Sequence, residues 1–179
     1  QDGTWKLDLA ANPLKWQPLT THGGTPTARI GHRAVKYENK TVLFGGCENP
    51  CSSGSHIVND PWELDLTSLK WSPIAAGGTP STGRMMPSAV LNGSVIVMFG
   101  GQTTLSAYTS ETWTLDLVAK KWKLLSTTEG PPSARGRVRA VLHEGKMIVH
   151  GGVGKPASTN VYYNDVWQLD LVTRHWQEL

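Results

Sequence analysis

Trp62-Glu-Leu-Asp-Leu66 is one of four copies of a W-x-L-D-L pentad, and these copies decide the fold. They recur with a period of roughly 50 residues, which is typical of a repeat architecture. Within each pentad the Trp and both Leu alternate with polar residues, so they would share one face of a β-strand. The four pentads begin at Trp5, Trp62, Trp113 and Trp167.

A second Trp follows each pentad, and a second motif lies between the pentads. In that motif an Arg precedes an Ala-Val pair by a constant interval, and a Gly-Gly pair ends the apolar segment that comes next. Such short apolar segments, for example Val95–Phe99, are typical of strands covered on both faces. We expect the Trp residues to pack in the core rather than to bind a ligand. The motif residues are Arg29, Arg84 and Arg135, with Gly45-Gly46, Gly100-Gly101 and Gly151-Gly152.

Each repeat therefore predicts four strands: a from the Arg, b ending at Gly-Gly, c from the first Trp, and d around the second Trp. At this point the sequence resembles the kelch-repeat family, in which each four-stranded repeat forms one blade of a β-propeller. The stretch from Gly23 to His32 matches the G-x-x-P-x-x-R-x-G-H pattern of some kelch proteins nearly in full, whereas later repeats depart from it at Met85, Met86 and Arg137. The resemblance implies an all-β, kelch-type β-propeller.

The repeats do not add up to a whole ring, because strands c and d occur four times and strands a and b only three times. We expect a partial ring of about three and a half four-stranded blades, belonging to a six- or seven-bladed propeller. The rest of a longer chain, or another chain, would complete it. The expected divisions of residues 1–179 are strands c and d of an incomplete blade at 4–19, then blades at 20–74, 75–125 and 126–179.

Composition excludes several other classes. Charged residues are 17% and hydrophobic residues 39% of the chain, which fits neither a disordered polyelectrolyte nor a coiled coil. No uninterrupted apolar run approaches the roughly 20 residues needed to span a bilayer. The net charge of +3 is too small to indicate nucleic-acid binding by itself. We expect neither membrane insertion nor a nucleic-acid partner.

Blade topology locates a candidate site on the face that carries the b–c and d–a connections. The b–c connections, predicted at 47–61, 102–112 and 153–166, are long, and long loops in compact domains are often binding loops. Strand a is innermost in a propeller, so its alternate side chains would line the central channel. A basic channel would attract an acidic or phosphorylated peptide, since Arg binds carboxylate or phosphate with two hydrogen bonds. The predicted partner-binding residues are Arg29, Arg33, Arg84, Arg135, Arg137 and Arg139.

Two interpretations of the repeat-invariant arginines stay open. Arg29, Arg84 and Arg135 either brace the blades by bonding neighbouring backbone, or contact the partner, as the resemblance to kelch relatives that bind acidic peptides implies. Arg33, Arg137 and Arg139 differ between repeats, so we expect these to bind the partner.

The expected function is a non-catalytic protein–protein interaction module or scaffold that needs no cofactor and no metal. The sequence has no serine-hydrolase elbow, no zinc-protease helix motif and no phosphate-binding loop. The kelch resemblance also includes copper oxidases and iron-dependent specifier proteins, whose ligand sets we do not find. Two alternatives stay open: part of a metal-dependent enzyme whose active residues lie in other blades, or a purely architectural propeller within a large assembly.

Two cysteines leave the cellular compartment open. Cys47 and Cys51 lie in the first b–c loop, where a disulfide would form in an oxidising compartment and reduced thiols would fit the cytosol. Their spacing lacks companion ligands for zinc. Asn39 and Asn92 begin N-glycosylation acceptor sequences. We expect a cytoplasmic location, with secretion as the alternative.

Overall fold

The computed structural model describes residues 3–52, 56–78, 80 and 82–179, and it confirms the all-β prediction. Within this part of the chain no α-helix occurs, so no helix is long and apolar enough to cross a membrane. The strands are β1 (Thr4–Asp8), β2 (Lys15–Leu19), β3 (His22–Gly23), β4 (Arg29–Ile30), β5 (Arg33–Tyr37), β6 (Lys40–Phe44), β7 (Cys47–Glu48), β8 (Trp62–Asp65), β9 (Lys70–Pro73), β10 (Ser88–Asn92), β11 (Val95–Phe99), β12 (Thr112–Asp116), β13 (Lys121–Leu124), β14 (Arg139–His143), β15 (Lys146–Gly154), β16 (Val161–Asp170) and β17 (Trp176–Glu178).

The longer strands form three antiparallel sheets, each ordered along the chain from its inner to its outer strand. The first blade contains β5, β6, β8 and β9, with the short β3 parallel to β9 at its outer edge. The second blade contains β10 to β13, and the third contains β14 to β17. Strands β1 and β2 form a separate N-terminal hairpin. Because β10 contacts both β5 and β14, the inner strands lie side by side, and the sheets form an open part of a propeller ring.

Apolar side chains from facing sheets hold neighbouring blades together. Phe44 at the end of β6 packs edge-on against Trp122 of the second blade, with ring centroids 6.1 Å apart. Phe99, the equivalent residue of the second blade, packs against Trp176 of the third at 5.0 Å. All four side chains are buried. The b strands of the first and second blades thus each supply an aromatic ring to the blade that follows, and this contact buries the apolar faces between the blades.

The prediction that the Trp residues pack in the core is confirmed in the three blades and wrong in the N-terminal hairpin. The second Trp of each blade is buried, and the first is partly buried. Trp5 and Trp16, by contrast, are 50% and 62% exposed. Their hairpin has no a and b strands beside it, so no sheet covers the rings. The buried outer-strand residues are Trp71, Trp122 and Trp176.

The pentad carboxylates cap turns, as the position of an Asp directly before a short turn predicts. Asp65 accepts hydrogen bonds from the backbone N–H groups of Thr67 and Ser68, at 3.0 and 2.7 Å. The equivalent Asp116 and Asp170 each accept two backbone N–H groups in the same way. Sequence alone was sufficient here because an Asp before a short turn has a local partner.

Two details of the predicted strands are wrong. Strand a begins at Arg33, Ser88 or Arg139 and not at the repeat-invariant Arg that precedes each of them. A residue in the left-handed region lies in between, and it ends the alternation of side chains that an extended strand requires. The predicted third loop at 153–166 is mostly strand, because β15 and β16 pair as far as Gly154 and Val161. This extended hairpin leaves only 155–160 as the connection.

Candidate functional site

Three arginines lie where the inner strands of the first and third blades begin. Arg33, the first residue of β5, donates from Nε to the carbonyl oxygen of Pro87 at 2.5 Å. Its Nη2 donates to the carbonyl oxygen of Val138 at 3.4 Å. Val138 lies between Arg137 and Arg139, so the Arg33 side chain reaches from the first blade to the third. We call Arg33, Arg137 and Arg139 the basic mouth.

The charges of the basic mouth are not neutralised by acidic residues of the described chain. Arg33 has backbone carbonyls as hydrogen-bond partners, and burial lowers the pKa of its guanidinium, with the positive charge of Arg139 lowering it further. The side chains of Arg137 and Arg139 are exposed, and within the described residues neither takes part in a hydrogen bond or an ion pair. Like charges held together in this way attract an anion.

The repeat-invariant arginines lie in the wall of the ring, where their charges are already paired. Arg135 donates to both carboxylate oxygens of Asp165, at 2.5 and 3.0 Å. Arg29 bonds Asp60 in the same bidentate manner, at 2.6 and 2.9 Å. Arg84 is paired with Glu111. All three side chains are at most 3% exposed.

In each of these ion pairs, the acid also accepts a hydrogen bond from a pentad tryptophan. The indole N–H of Trp167 donates to Asp165 at 2.9 Å, and that of Trp62 donates to Asp60 at 2.7 Å. The second blade repeats the arrangement. We call these groups the Arg–acid–Trp triads; their acids are Asp60, Glu111 and Asp165. Sequence analysis missed the three acids, although an acidic residue two positions before the first Trp of each blade was the available signal.

The backbone of the same arginines joins one blade to the next. Arg84 donates from its N–H to Val58 of the first blade at 3.2 Å and accepts from Gly46 at 2.8 Å. Arg135 makes the equivalent bonds to Thr109 and Gly101 of the second blade, at 3.2 and 2.9 Å. Burial, charge pairing and these bonds agree with the interpretation in which Arg84 and Arg135 brace the blades, and none of the three triad arginines presents a free guanidinium to a partner.

Glycine pairs make this bracing sterically feasible. Gly45 and Gly100 have positive φ angles of 67° and 68°. A Cβ on Gly45 would lie 2.5 Å from the carbonyl oxygen of Arg84, and one on Gly100 would lie 2.4 Å from that of Arg135. Only glycine allows the b strand to approach the following blade so closely.

The first b–c loop lies beside the mouth. Cys47 and Cys51 are joined by a disulfide. Cys47 packs with Ile57 and with Met85 of the second blade in a small buried cluster, and Met86 packs partly against it. The acceptor residues Asn39 and Asn92 lie at the opposite end of the strands, in the exposed a–b turns. Among the residues described, no three His, Cys, Asp or Glu side chains come together in a way that could hold a metal ion.

Comparison with known proteins gives one family. A sequence model described as the KLHDC2/KLHL20/DRC7 Kelch-repeats domain matches residues 1–152 and 51–179. Adagio-like protein 3 of Oryza sativa subsp. japonica is 30% identical over 186 residues, which covers 99% of this chain and 28% of that protein. Kelch domain-containing protein 3 of Homo sapiens is 27% identical, with 94% of this chain and 45% of that protein covered. The chain thus spans less than half of the length of these curated relatives.

A solved structure, that of YjhT, shares the fold at 16% sequence identity. Its TM-score is 0.76, and the match covers 92% of this chain and 58% of that one. At this identity the likeness concerns the arrangement of the sheets alone.

Proposed function

Since the chain belongs to the Kelch-repeat family, we propose that it is a non-catalytic protein-interaction module that binds an acidic or phosphorylated segment at the basic mouth. Kelch-repeat relatives fit a protein-interaction module in general. The observation that carries the finer proposal is that Arg33 reaches the backbone carbonyl between Arg137 and Arg139, and that none of the three side chains has a carboxylate partner in the described chain.

The geometry suits an anionic side chain better than a diffuse negative surface. Arg33, which is partly buried, bonds the carbonyl of Val138, and the residues on either side of Val138 in the chain carry exposed guanidiniums. Carboxylate and phosphate oxygens accept two parallel hydrogen bonds from one guanidinium, and such charge-assisted bonds are about twice as strong as neutral ones. The extended hairpin of β15 and β16 stands on the same face and would form one wall of the site.

Completion of the ring is part of the same proposal. The outward face of the third blade has no neighbour in the described chain: Val141 is 61% exposed, whereas the equivalent Val90 of the second blade, which packs on the third, is 6% exposed. We therefore expect further blades, from a longer chain or another chain, to cover Val141 and to close the channel around the basic mouth.

Charge reversal tests the proposed function. Binding to an array of synthetic dodecapeptides would be measured by fluorescence anisotropy, with acidic, phosphoserine and neutral members of otherwise equal sequence. We expect acidic or phosphoserine peptides to bind, and Arg137→Glu/Arg139→Glu to weaken them at least about 100-fold. The matched control is Lys121→Glu/Lys123→Glu, an equal change of charge on the outer strand β13, which should leave binding within about 3-fold.

The melting temperature separates binding from folding. Because Arg137 and Arg139 are exposed, their reversal should leave it within a few degrees of the wild type. Equal affinity of the peptides for the Arg137→Glu/Arg139→Glu variant and the wild type would refute the proposal, as would a fall in stability large enough to explain the loss of binding.

A further inference from the structure

Three equivalent residues of the blades form a continuous arc at the basic mouth. Gly31, Met86 and Arg137 have φ angles of 68°, 53° and 59°, so all three are in the left-handed region. The N–H of Met86 donates to the carbonyl oxygen of Gly31 at 2.7 Å, and the N–H of Arg137 donates to that of Met86 at 2.9 Å. We call these residues the left-handed arc. It runs through the mouth from the first blade to the third.

Only the first blade has the residue that suits this conformation best. Glycine adopts a positive φ without a steric penalty, whereas a residue with a Cβ does so at a cost. At the positions of Met86 and Arg137, glycine would therefore be less strained than the residue that is present. Residues held in such conformations cluster at functional sites.

The Met86 side chain lies along the arc. A Cβ built on Gly31 would come within 2.9 Å of the Met86 Cγ and within 2.6 Å of the Met85 Cγ, so the absence of a side chain at Gly31 makes room for both methionines. Met85 is buried, whereas Met86 packs against the same small cluster and is only partly buried. The arc thus carries a partly exposed thioether on Met86, whose backbone carbonyl accepts the N–H of Arg137, and the Arg137 side chain is itself exposed.

We propose that the partner segment of the proposed function places an apolar side chain on Met86, next to an acidic group bound by Arg137. The proposal rests on that function and specifies its ligand. Backbones joined by such hydrogen bonds lie about 5 Å apart, which is between the spacing of adjacent residues (about 3.4 Å) and that of alternate residues (about 7 Å) in an extended peptide. The apolar and acidic residues of the partner should therefore be adjacent or separated by one residue. Methionine suits this role because its flexible side chain adapts to different apolar groups.

A peptide pair tests the inference. The probes are two synthetic peptides with Gly-Ser flanks, one with the core Asp-Leu-Glu and the other with Asp-Ser-Glu, and their affinity is measured by fluorescence anisotropy. We expect the Leu peptide to bind the wild type at least about 10-fold more tightly. Met86→Gly should reduce that preference to less than about 3-fold without changing the affinity for the Ser peptide. Arg137→Gly should weaken both peptides.

The glycine variants also control for folding. Both restore the residue that the first blade uses at this position, so their melting temperatures should equal or exceed that of the wild type. Equal binding of the two peptides to the wild type would overturn the inference and leave the proposed function standing. A preference for Leu that survives Met86→Gly would overturn it as well. Failure of the wild type to bind either peptide would count against the proposed function itself.

Discussion

Removal of the carboxylate from the triad of the third blade should destabilise the protein more than removal of any exposed acid. Arg135 and Asp165 have side chains that are 2% and 20% exposed, so the Asp165→Ala variant would leave a guanidinium buried without its counter-ion. Breaking a buried pair from one side costs about 3–5 kcal/mol. Arg135 would keep hydrogen bonds to Ser133 and Gly151 and its contact with the Tyr163 ring. We therefore expect the lower end of this range, about 3 kcal/mol.

Urea unfolding, followed by tryptophan fluorescence, measures this loss. With a slope of about 2–3 kcal/mol/M, Asp165→Ala should lower the midpoint by roughly 1–1.5 M. The double variant Arg135→Met/Asp165→Ala should be more stable than Asp165→Ala by at least about 1 kcal/mol, because no unpaired charge remains. This ordering distinguishes a buried charge from a simple loss of contacts.

The matched control is Glu129→Ala, which removes the carboxylate of a pair with His175. Glu129 is 78% exposed, and exposed pairs contribute about 0–1 kcal/mol. A loss of less than about 1 kcal/mol in Asp165→Ala would refute the conclusion that the triads brace the ring. Arg135 would then again be a candidate for partner binding.

Two further predictions concern acid stability and the contact between blades. Hydrogen bonding from Arg135 holds the pKa of Asp165 below its usual value. The ionised carboxylate of Asp165 therefore contributes stability above the unfolded pKa of about 3.9, and this contribution is lost as pH falls through the folded value. The Asp165→Asn variant should lose less stability than the wild type between about pH 5 and pH 2, measured by urea unfolding at each pH. Phe99→Ala should cost about 4 kcal/mol, since the ring is fully buried against Trp176, whereas Val141→Ala on the uncovered face should cost less than about 1 kcal/mol in the same assay.

The parts of the fold that could be predicted are those in which one local pattern has one structural solution. The W-x-L-D-L pentad predicts a strand with one apolar face followed by a capped turn, and Asp65 and Asp170 cap such turns. The Gly-Gly pair after an apolar segment predicts the end of strand b; β6 and β11 end at that point, whereas β15 continues through the pair to Gly154, so the prediction is wrong in the third blade. In both cases the residues that decide the structure are neighbours in sequence.

The details that failed depend on contacts between distant residues. Strand a begins late because Met86 and Arg137 take the left-handed conformation, which hydrogen bonds to the preceding blade hold in place. The third connection is short because β15 continues past a bulge between His150 and Gly152 to pair with β16. Trp5 is exposed because no sheet of the described chain covers its hairpin. The pentad gives no sign of this difference, since all four copies have the same W-x-L-D-L pattern.

The candidate site could be predicted only where the repeats differ. A residue that every blade needs for its own packing is present in each copy, and the pairing of each triad arginine with an acid agrees with such a role. The presence of Arg29, Arg84 and Arg135 in every repeat is therefore weak evidence for partner binding. Arg33 occupies a position that differs between the blades, since the equivalent residues are Ser88 and Arg139.

The net charge of the chain does not indicate the local charge of the candidate site, because carboxylates offset some of the arginines and not others. The three triad arginines are each offset by a carboxylate inside the wall of the ring, so they contribute almost no field at the mouth. The basic mouth has no such offset within the described residues, and there the positive charge of Arg139 acts on the Arg33 guanidinium. The net charge of +3 therefore does not describe the local charge, because acids offset the triad arginines, whereas no acid of the described chain is paired with the basic mouth.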